Sequence, residues 1–324
     1  MPNLSNYTYS QVSNIPPREL ATYSVNDLAT LNSNSRGLYS AHLSLLSAQQ
    51  RDALSSTAVA NLTSNSIYGV NKYLIPDLSS SSSGFLSKLR GNASGFTKDQ
   101  MGWLSNDRLD TLHADAVANL TSDAISGIAP WHLKWVSTSN NGFLSKLRGN
   151  AAGLTAAHLA ELSAEQLDVL SSTAVANLSS NAISGIGVRQ LEVMRSNNGF
   201  LNNLRSNASG LTKDQMGWLS YDRLDALHAD AVANLTSDAV SGIATWHLKW
   251  VSTSNNGFLS KLRGNAAGLT TAQLAELNAE QINKLSNTSV ASLTKEAVGG
   301  MSVATLNYLS AIQCRICPQR LLVA

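Results

Sequence analysis

The stretch LAELSAEQLDVLSSTAVANLSSNAISGI, residues 159–186, carries a pair of large apolar residues every eight positions. Within a pair the two residues are three apart, and the next pair begins five residues later, as Leu159 and Leu162 are followed by Leu167 and Leu170. The residue after each pair is nearly always Ser, Thr or Asn. We call this unit the octad and number it so that the apolar pair occupies positions 1 and 4 and the polar residue occupies position 5.

An eight-residue period fits neither a long helix nor a strand. At about 100° per residue, eight residues overshoot two helical turns by about 80°, so the apolar stripe would wind around a continuous helix and no single face could bury it. A coiled coil needs a mean apolar gap of about 3.5 residues, and a half-buried strand needs alternation at every second residue. The octad therefore predicts a helix that ends and restarts once per unit.

The residue at position 5 explains the restart. Ser, Thr and Asn are favoured N-caps because their side-chain oxygen accepts a hydrogen bond from a free backbone N–H. Several octads also complete a capping box, as at Ser163 with Gln166 and Thr97 with Gln100. Each unit is then predicted to be a cap, about seven helical residues and a sharp turn. Because such helices are marginal alone, we predict an all-α solenoid, a superhelix of very short helices that share one core.

A longer repeat is superimposed on the octads. The segment GFLSKLRGNASGFTKDQMGWLS at Gly84 returns almost unchanged at Gly199, and related segments start at Gly142 and Gly257, so the spacing is 58, 57 and 58 residues. The octads are therefore grouped in tandem blocks of about 58 residues. Two or three extra residues enter at each Gly–Phe segment. We expect corners or register shifts there, with Gly142, Gly199 and Gly257 at positive φ.

The repeats divide the chain into N-terminal octads at 1–36, a tandem solenoid at 37–309 and a C-terminal tail at 310–324, with blocks starting near 37, 95, 153, 210 and 268. The start, MPNLSNYTYSQVSNIPP, lacks the cationic and apolar regions of a Sec signal. Its Ser, Asn and Tyr resemble the amino ends of bacterial type III secreted proteins. We therefore predict a secreted or host-targeted protein without a Sec signal, with a cytoplasmic location as the alternative. No apolar run approaches the roughly 18 residues of a transmembrane segment.

Two known families have a similar repeat pattern. The stretch LSAEQLDVLSSTAVANL resembles the L-x-x-L-S-x-x-Q pattern of mesothelin-type superhelical repeats. The stretch GLTTAQLAELNAEQINKL is similar to the LTxxQLxxL repeats of some large bacterial secreted and surface proteins. Both resemblances extend over nearly the whole chain. They imply an extended helical scaffold for cell-surface or host-facing contact, and neither brings catalytic residues.

The tryptophans fall in two equivalent sets of three. Trp131 and Trp135 are four residues apart and so share a helix face, which lies about 150° from the apolar pair on a helical wheel. We hypothesise two aromatic patches that bind a protein partner, because amphipathic aromatic side chains are favoured at interfaces. The alternative is that an adjacent layer of the solenoid covers the rings, and their accessibility distinguishes the two. The candidate residues are Trp103, Trp131, Trp135, Trp218, Trp246 and Trp250.

Basic residues also recur in register with the blocks. Each Arg ends a predicted short helix in the pattern L-R-[GS]-N, where a cation stabilises free backbone carbonyls. The alternative is a basic ladder that follows a nucleic-acid phosphate backbone. Against that alternative stand a net charge of only +2 and several nearby aspartates. The residues are Lys88, Arg90, Lys146, Arg148, Arg205, Lys261 and Arg263.

Motifs for catalysis or metal binding are missing from the sequence. There is no P-loop, no glycine-rich dinucleotide motif and no H-E-x-x-H. His113 and Asp115, repeated as His228 and Asp230, are two residues apart and diverge by about 200° on a helix, so we predict a solvated or capping role.

The two cysteines, Cys314 and Cys317, are too few for a four-ligand zinc site, and we predict an incidental role in the tail, with a redox or metal role as the alternative. We therefore predict a non-enzymatic scaffold, without cofactor or metal, that binds protein partners along an extended surface. Nucleic-acid backbone binding is the alternative function.

Overall fold

A computed structural model describes residues 3–197 and 199–307 of the chain. Within that part every regular element is helical and no strand occurs, so the all-α prediction is confirmed. The α-helices there have four to six residues, and short 3-10 helices, written η, recur between them. None of the described helices has the length and apolar character needed to cross a membrane. Cys314 and Cys317 lie outside the described residues.

The chain divides into two compact units, Met1–Leu162 with Val169–Asn177, and Ser163–Asp168 with Leu178–Ala324. The described helices of unit 1 are η1 (Leu4–Asn6), α1 (Tyr9–Ser13), α2 (Pro17–Leu20), α3 (Val25–Ala29), η2 (Ser33–Gly37), α4 (Ser40–Leu45), α5 (Ala48–Ala53), α6 (Ser56–Asn61), α7 (Ser64–Tyr68), η3 (Lys72–Asp77), α8 (Phe85–Lys88), η4 (Gly91–Gly95), α9 (Lys98–Met101), α10 (Asn106–Thr111), α11 (Ala114–Asn119), α12 (Ser122–Ser126), α13 (Pro130–Leu133), α14 (Phe143–Lys146), η5 (Gly149–Gly153), α15 (Ala156–Glu161) and α17 (Ser172–Asn177).

The described helices of unit 2 are α16 (Ala164–Asp168), α18 (Ser180–Ile183), α19 (Val188–Val193), α20 (Phe200–Asn203), η6 (Ser206–Gly210), α21 (Lys213–Gly217), α22 (Tyr221–Ala226), α23 (Ala229–Asn234), α24 (Ser237–Ser241), α25 (Thr245–Leu248), α26 (Phe258–Lys261), η7 (Gly264–Gly268), α27 (Thr271–Glu276), α28 (Ala279–Ile282), α29 (Asn287–Ser292) and α30 (Lys295–Val298).

Two successive residues with extended backbone separate one helix from the next. Between α6 and α7, Leu62 has φ −59° and ψ 145°, and Thr63 has φ −80° and ψ 158°. The side chain of Thr63 accepts from the N–H of Ser66, so position 5 is an N-cap, as predicted. Because positions 4 and 5 both leave the helical conformation, at most six helical residues remain per octad, and the expected length of about seven was wrong.

Three positions of the octad are buried, although the apolar pair accounts for only two of them. Position 8, immediately before the first member of the pair, is also enclosed in many octads, where it often holds a small residue. Ala58, Ala116 and Ala174 at this position have no exposed surface. In other octads a polar residue occupies position 8, and Ser66, for example, donates from its hydroxyl to the carbonyl of Leu38.

Buried and half-buried polar side chains connect segments that are 23 to 36 residues apart in the chain. Asn150 accepts from the N–H of Arg148 and donates to the carbonyls of Val117 and Leu120. These carbonyls lie at the end of α11, where a helix leaves its last acceptors free. The same bonds recur once per block, and the asparagines that make them with two carbonyls are Asn34, Asn92, Asn150 and Asn265.

The Gly–Phe segments are held by an aspartate from an earlier octad. The carboxylate of Asp110 accepts from the N–H of Ser137 and from the N–H of Phe143, both at 2.8 Å. One carboxylate therefore fixes both ends of the inserted loop and caps α14. Equivalent carboxylates bond the N–H of the Gly–Phe phenylalanine in the other blocks, from Asp52, Asp168 and Asp225.

The glycines of these segments are N-caps with negative φ. Gly142 has φ −74°, Gly257 has φ −73° and Gly199 has φ −104°, so the expectation of positive φ was wrong. The reason for glycine is close packing instead. A Cβ on Gly142 would lie 2.4 Å from the carbonyl oxygen of Ser137, at the other end of the same loop.

Candidate binding surfaces

All six tryptophan side chains are exposed, and they are the largest apolar groups that the fold leaves in solvent. The five phenylalanines, in contrast, are all buried. The neighbouring helices of each unit leave a large part of every indole ring uncovered. The exposed fractions are 44% for Trp103, 64% for Trp131, 69% for Trp135, 49% for Trp218, 65% for Trp246 and 65% for Trp250.

Tryptophan surface 1, defined as Trp103, Trp131 and Trp135, belongs to unit 1. Trp103 follows Gly102, and a Cβ on Gly102 would lie 3.1 Å from the carbonyl oxygen of Gly127. This close approach sets the end of α9 beside the end of α12, four residues before Trp131. Trp131 then lies in α13, and Trp135 follows that helix.

One aromatic and one cationic side chain contact indoles of surface 1. The Tyr73 and Trp103 rings meet edge to face, with centroids 5.5 Å apart. The ammonium of Lys134 lies 5.6 Å from the centroid of Trp135, within the range of a cation–π interaction. We did not predict Tyr73 from the sequence, although it precedes Trp131 by 58 residues and therefore occupies the same place in its block.

Tryptophan surface 2, defined as Trp218, Trp246 and Trp250, repeats this arrangement in unit 2. A Cβ on Gly217 would again lie 3.1 Å from a glycine carbonyl oxygen, here of Gly242. The ammonium of Lys249 lies 5.9 Å from the Trp250 centroid. Each surface therefore presents three indoles with a lysine beside the last of them.

A histidine packs beside the middle indole of each surface. The His132 and Trp131 centroids are 5.9 Å apart, and the His247 and Trp246 centroids are 5.7 Å apart. Burial lowers the pKa of both imidazoles, and at His247 the carboxylate of Asp222 opposes that effect. Both surfaces thus carry the same titratable neighbour.

The lysines of the basic set point into the fold. Lys146 is 5% exposed, and its ammonium donates to the carbonyls of Asp110 and Leu112. Lys261 makes the same pair of bonds in its block, and so does Lys88, which is less buried. Burial lowers the pKa of all three lysines, and a neighbouring aspartate opposes the shift.

The arginines of the basic set lie at helix ends. The guanidinium of Arg148 donates through Nη1 to the carbonyls of Ser145 and Leu147 at the end of α14, and Arg90, Arg205 and Arg263 do the same in their blocks. The capping interpretation accounts for these contacts. A ladder along a phosphate backbone would need Lys146 and Lys261 to leave the interior.

The repeated His–Ala–Asp segments are helix caps. Nδ1 of His113 accepts from the N–H of Asp115 at the start of α11, and His228 does the same for α23, so the capping prediction is confirmed. Among the described residues, no group of three or more His, Cys, Asp or Glu side chains is arranged to hold a metal ion.

An open polar cavity of about 450 Å³ lies in unit 2, beside the start of α23. Three of its polar side chains bond to the backbone. The carboxylate of Asp225 accepts from Ser252 and Phe258, the ammonium of Lys261 donates to two carbonyls, and Asn202 donates to Ala226. These three side chains of the cavity are therefore engaged in contacts that hold the fold together.

Comparison with protein-family models and with curated proteins finds no match to this chain. The two family resemblances drawn from the octad pattern stay predictions. The function is therefore best argued from the two tryptophan surfaces.

Proposed function

We propose that this chain is a non-enzymatic helical-repeat scaffold that binds protein partners through tryptophan surfaces 1 and 2. The observation that carries the proposal is the exposure of all six indoles in a chain that buries all five of its phenylalanines. Each indole is an amphipathic ring of the kind that dominates the centre of protein interfaces.

The free energy available from covering the exposed indoles supports a role for these rings in binding. A tryptophan side chain buries about 150–250 Å² when covered, and apolar surface contributes about 25 cal/mol per Å². Covering an indole such as Trp131, which is 64% exposed, therefore offers on the order of 3 kcal/mol before the costs of association. The four most exposed rings, two on each surface, would be the anchors of the interface.

We also propose that each unit is a short-helix solenoid. The support is the recurrence of the asparagine and aspartate contacts from block to block, and of the lysine contacts in three of the four Gly–Phe segments. Each of these contacts joins segments 27 to 36 residues apart. In a solenoid each turn contacts only its neighbours, so the scaffold extends by adding turns and exposes a long surface. Secretion or host targeting stays a prediction from the N-terminal composition.

Deleting one whole block tests the solenoid. Removing residues 84–141 joins Ser83 to Gly142, and the chain continues with the same GFLSKLR text. A solenoid of stacked turns keeps its helical content per residue and unfolds cooperatively with a smaller denaturant m-value. Loss of helical circular dichroism in the deletion variant would show that the units do not fold turn by turn.

Affinity capture from cell extracts tests the binding proposal. The wild-type chain is compared with a variant in which Trp131, Trp135, Trp246 and Trp250 are all changed to Ser. A matched control carries Tyr9→Ser and Val303→Ser, which remove side chains that are 64% and 74% exposed elsewhere. Loss of even one hot-spot tryptophan weakens binding by about 2 kcal/mol, or about 30-fold. We expect the control, but not the tryptophan variant, to retain partners; equal recovery with both would refute the proposal.

A further inference from the structure

A buried side chain bonds to the backbone just before each of the helices α13 and α25, which carry Trp131 and Trp246. This side chain occupies equivalent positions in the two blocks but differs in type. Position 8 of the octad that packs on α13 is His158, and 115 residues later the same position is Gln273. Both side chains are 1% exposed. Each lies in a capping box at the start of its helix, α15 for His158 and α27 for Gln273.

The amide of Gln273, which does not titrate, makes hydrogen bonds both within its own capping box and to the segment before α25. Its Oε1 accepts from the N–H of Thr270 at 2.8 Å, which completes the capping box. Its Nε2 donates to the carbonyl of Ile243 at 2.7 Å and to that of Val240 at 3.1 Å. Ile243 directly precedes Ala244, the N-cap of α25, which carries Trp246, whereas Val240 belongs to α24.

His158 makes the same two connections with an imidazole. Its Nδ1 accepts from the N–H of Thr155 at 3.0 Å, and its Nε2 lies 2.6 Å from the carbonyl of Ile128. This network assigns the neutral tautomer with the proton on Nε2, which donates to the carbonyl. Ile128 directly precedes Ala129, the N-cap of α13, so the imidazole anchors the helix that carries Trp131.

Protonation of His158 breaks one of these two connections. A proton on Nδ1 would face the Thr155 N–H, which is itself a donor, so the capping box loses its acceptor. The Thr155 hydroxyl, 3.1 Å from Nδ1, can accept the new proton but leaves the backbone N–H without a partner. The result is a buried cation and an unsatisfied amide at the start of α15. The Nε2–H of the cation still donates to Ile128, so water reaches the cation and the amide only when α15 separates from α13.

The surroundings of His158 favour its neutral form. Burial lowers the pKa of the imidazole, and its hydrogen bond to Ile128 opposes that shift. The charged and titratable residues on the adjoining elements are Asp123 of α12, His132 and Lys134 at α13, and Glu161 of α15. His132 has a counterpart in His247 of surface 2, where the carboxylate of Asp222 opposes the effect of burial on the pKa. A His158→Gln variant retains His132 and therefore separates the contributions of the two histidines.

We propose that acidification loosens α13 and tryptophan surface 1 through His158, while Gln273 keeps tryptophan surface 2 in place. The local change needs no partner. Its consequence, release of a partner from surface 1 at acid pH with retention at surface 2, rests on the proposed function. One chain would then carry two similar binding surfaces with different responses to pH.

Hydrogen exchange of the full chain tests the proposal, because peptides from α13 and α25 have nearly the same sequence and thus nearly the same intrinsic exchange rates. Protection of the two helices is compared at pH 7.5 and pH 5.5. If opening releases a histidine with the ordinary pKa of about 6.5, protection of α13 falls by up to about tenfold over this interval. Protection of α25 stays constant.

Two substitutions should exchange the pH responses of α13 and α25. His158→Gln restores the side chain used at the equivalent position and should remove the acid-induced loss at α13. Gln273→His should transfer that loss to α25. An equal response of α13 and α25 in the wild type, or an unchanged loss in His158→Gln, would overturn the proposal even if Gln273→His fails to fold.

The outcome is separable from that of the binding proposal. If α13 loosens as expected but the tryptophan variant captures the same partners as wild type, the switch stands and the proposed function fails. If the tryptophans prove necessary for binding but α13 does not respond to pH, the proposed function stands and the switch fails.

Discussion

Replacing Arg51 with Leu should stabilise the protein. Arg51 occupies position 1 of its octad, and its side chain has no exposed surface. The three following blocks have leucine at the equivalent place, and those leucines are equally buried. Nε and Nη2 of Arg51 donate to the Leu43 carbonyl, whereas Nη1 is buried without a hydrogen-bond partner.

The size of the effect follows from the guanidinium. Burial lowers its pKa to about 10 although Asp52 opposes the shift, and that lowering corresponds to about 3 kcal/mol for keeping the group charged. Since the folded pKa is the lower one, this cost applies throughout the range below about pH 10. The unsatisfied Nη1 contributes to it, since a buried donor without a partner costs about 1–3 kcal/mol.

Leucine would remove the cost of burying a charged guanidinium, but the Leu43 carbonyl would lose the hydrogen bonds that it accepts from Arg51. In this block the N–H of Leu46 bonds to the carbonyl of His42, but the equivalent Leu162 bonds to Leu159, so Leu46 can turn to the Leu43 carbonyl. A smaller side chain also leaves space, which offsets part of the gain. We expect Arg51→Leu to raise the free energy of unfolding by about 1–2 kcal/mol.

Urea denaturation of the full chain, followed by circular dichroism, measures this change. The reverse substitution, Leu109→Arg, is the matched control and should destabilise by about 3 kcal/mol or more, because it buries a cation without a partner. A decrease of more than about 1 kcal/mol in Arg51→Leu would refute the reasoning, since it would mean that the guanidinium is net stabilising.

Three further substitutions probe the repeated contacts by denaturation, the first two against a control variant. Gly142→Ala should cost more than about 1 kcal/mol because its Cβ would meet the Ser137 carbonyl at 2.4 Å, whereas Gly149→Ala, with no atom within 4 Å, should be neutral or slightly stabilising. Asn150→Ala should cost about 1–3 kcal/mol by freeing two carbonyls, and exposed Asn140→Ala should not. His42→Gln should reduce the loss of stability as pH falls below about 6.5, because burial lowers the pKa of this histidine; an unchanged pH profile would contradict that role.

Local features of the fold were predictable because their causes lie within one octad. The N-cap at position 5 is confirmed at Thr63, and the N–H groups of Gln166, Ala174 and Ala182 likewise donate to the preceding serine hydroxyls. Helix length was overestimated because the pattern marks the cap but not the extended residue before it. That residue is the second member of the apolar pair, whose burial gives no sign of its backbone conformation.

The contacts between octads were not predictable from the sequence. Asn150 reads as a polar loop residue, and Lys146 as a surface cation, until their partners 30 to 36 residues earlier are known. Which octads meet depends on how many residues separate them, and the Gly–Phe insertions change that number. The exposure of the tryptophans was left open for the same reason, since only the arrangement of neighbouring helices decides whether a ring is covered.

The residues that hold the fold together leave the outward positions free to vary. Positions 1, 4, 5 and 8 provide the core and the caps, whereas Trp103 is at position 3 and Trp131 at position 7. In the following block the same places hold Glu161 and Arg189, so the fold accepts charged residues there. The two tryptophan-bearing segments are nearly identical, and duplication accounts for their agreement. The informative comparison is with the alternate block. Since the fold does not require an indole at either place, the exposed tryptophans there support the proposal that these surfaces bind a partner.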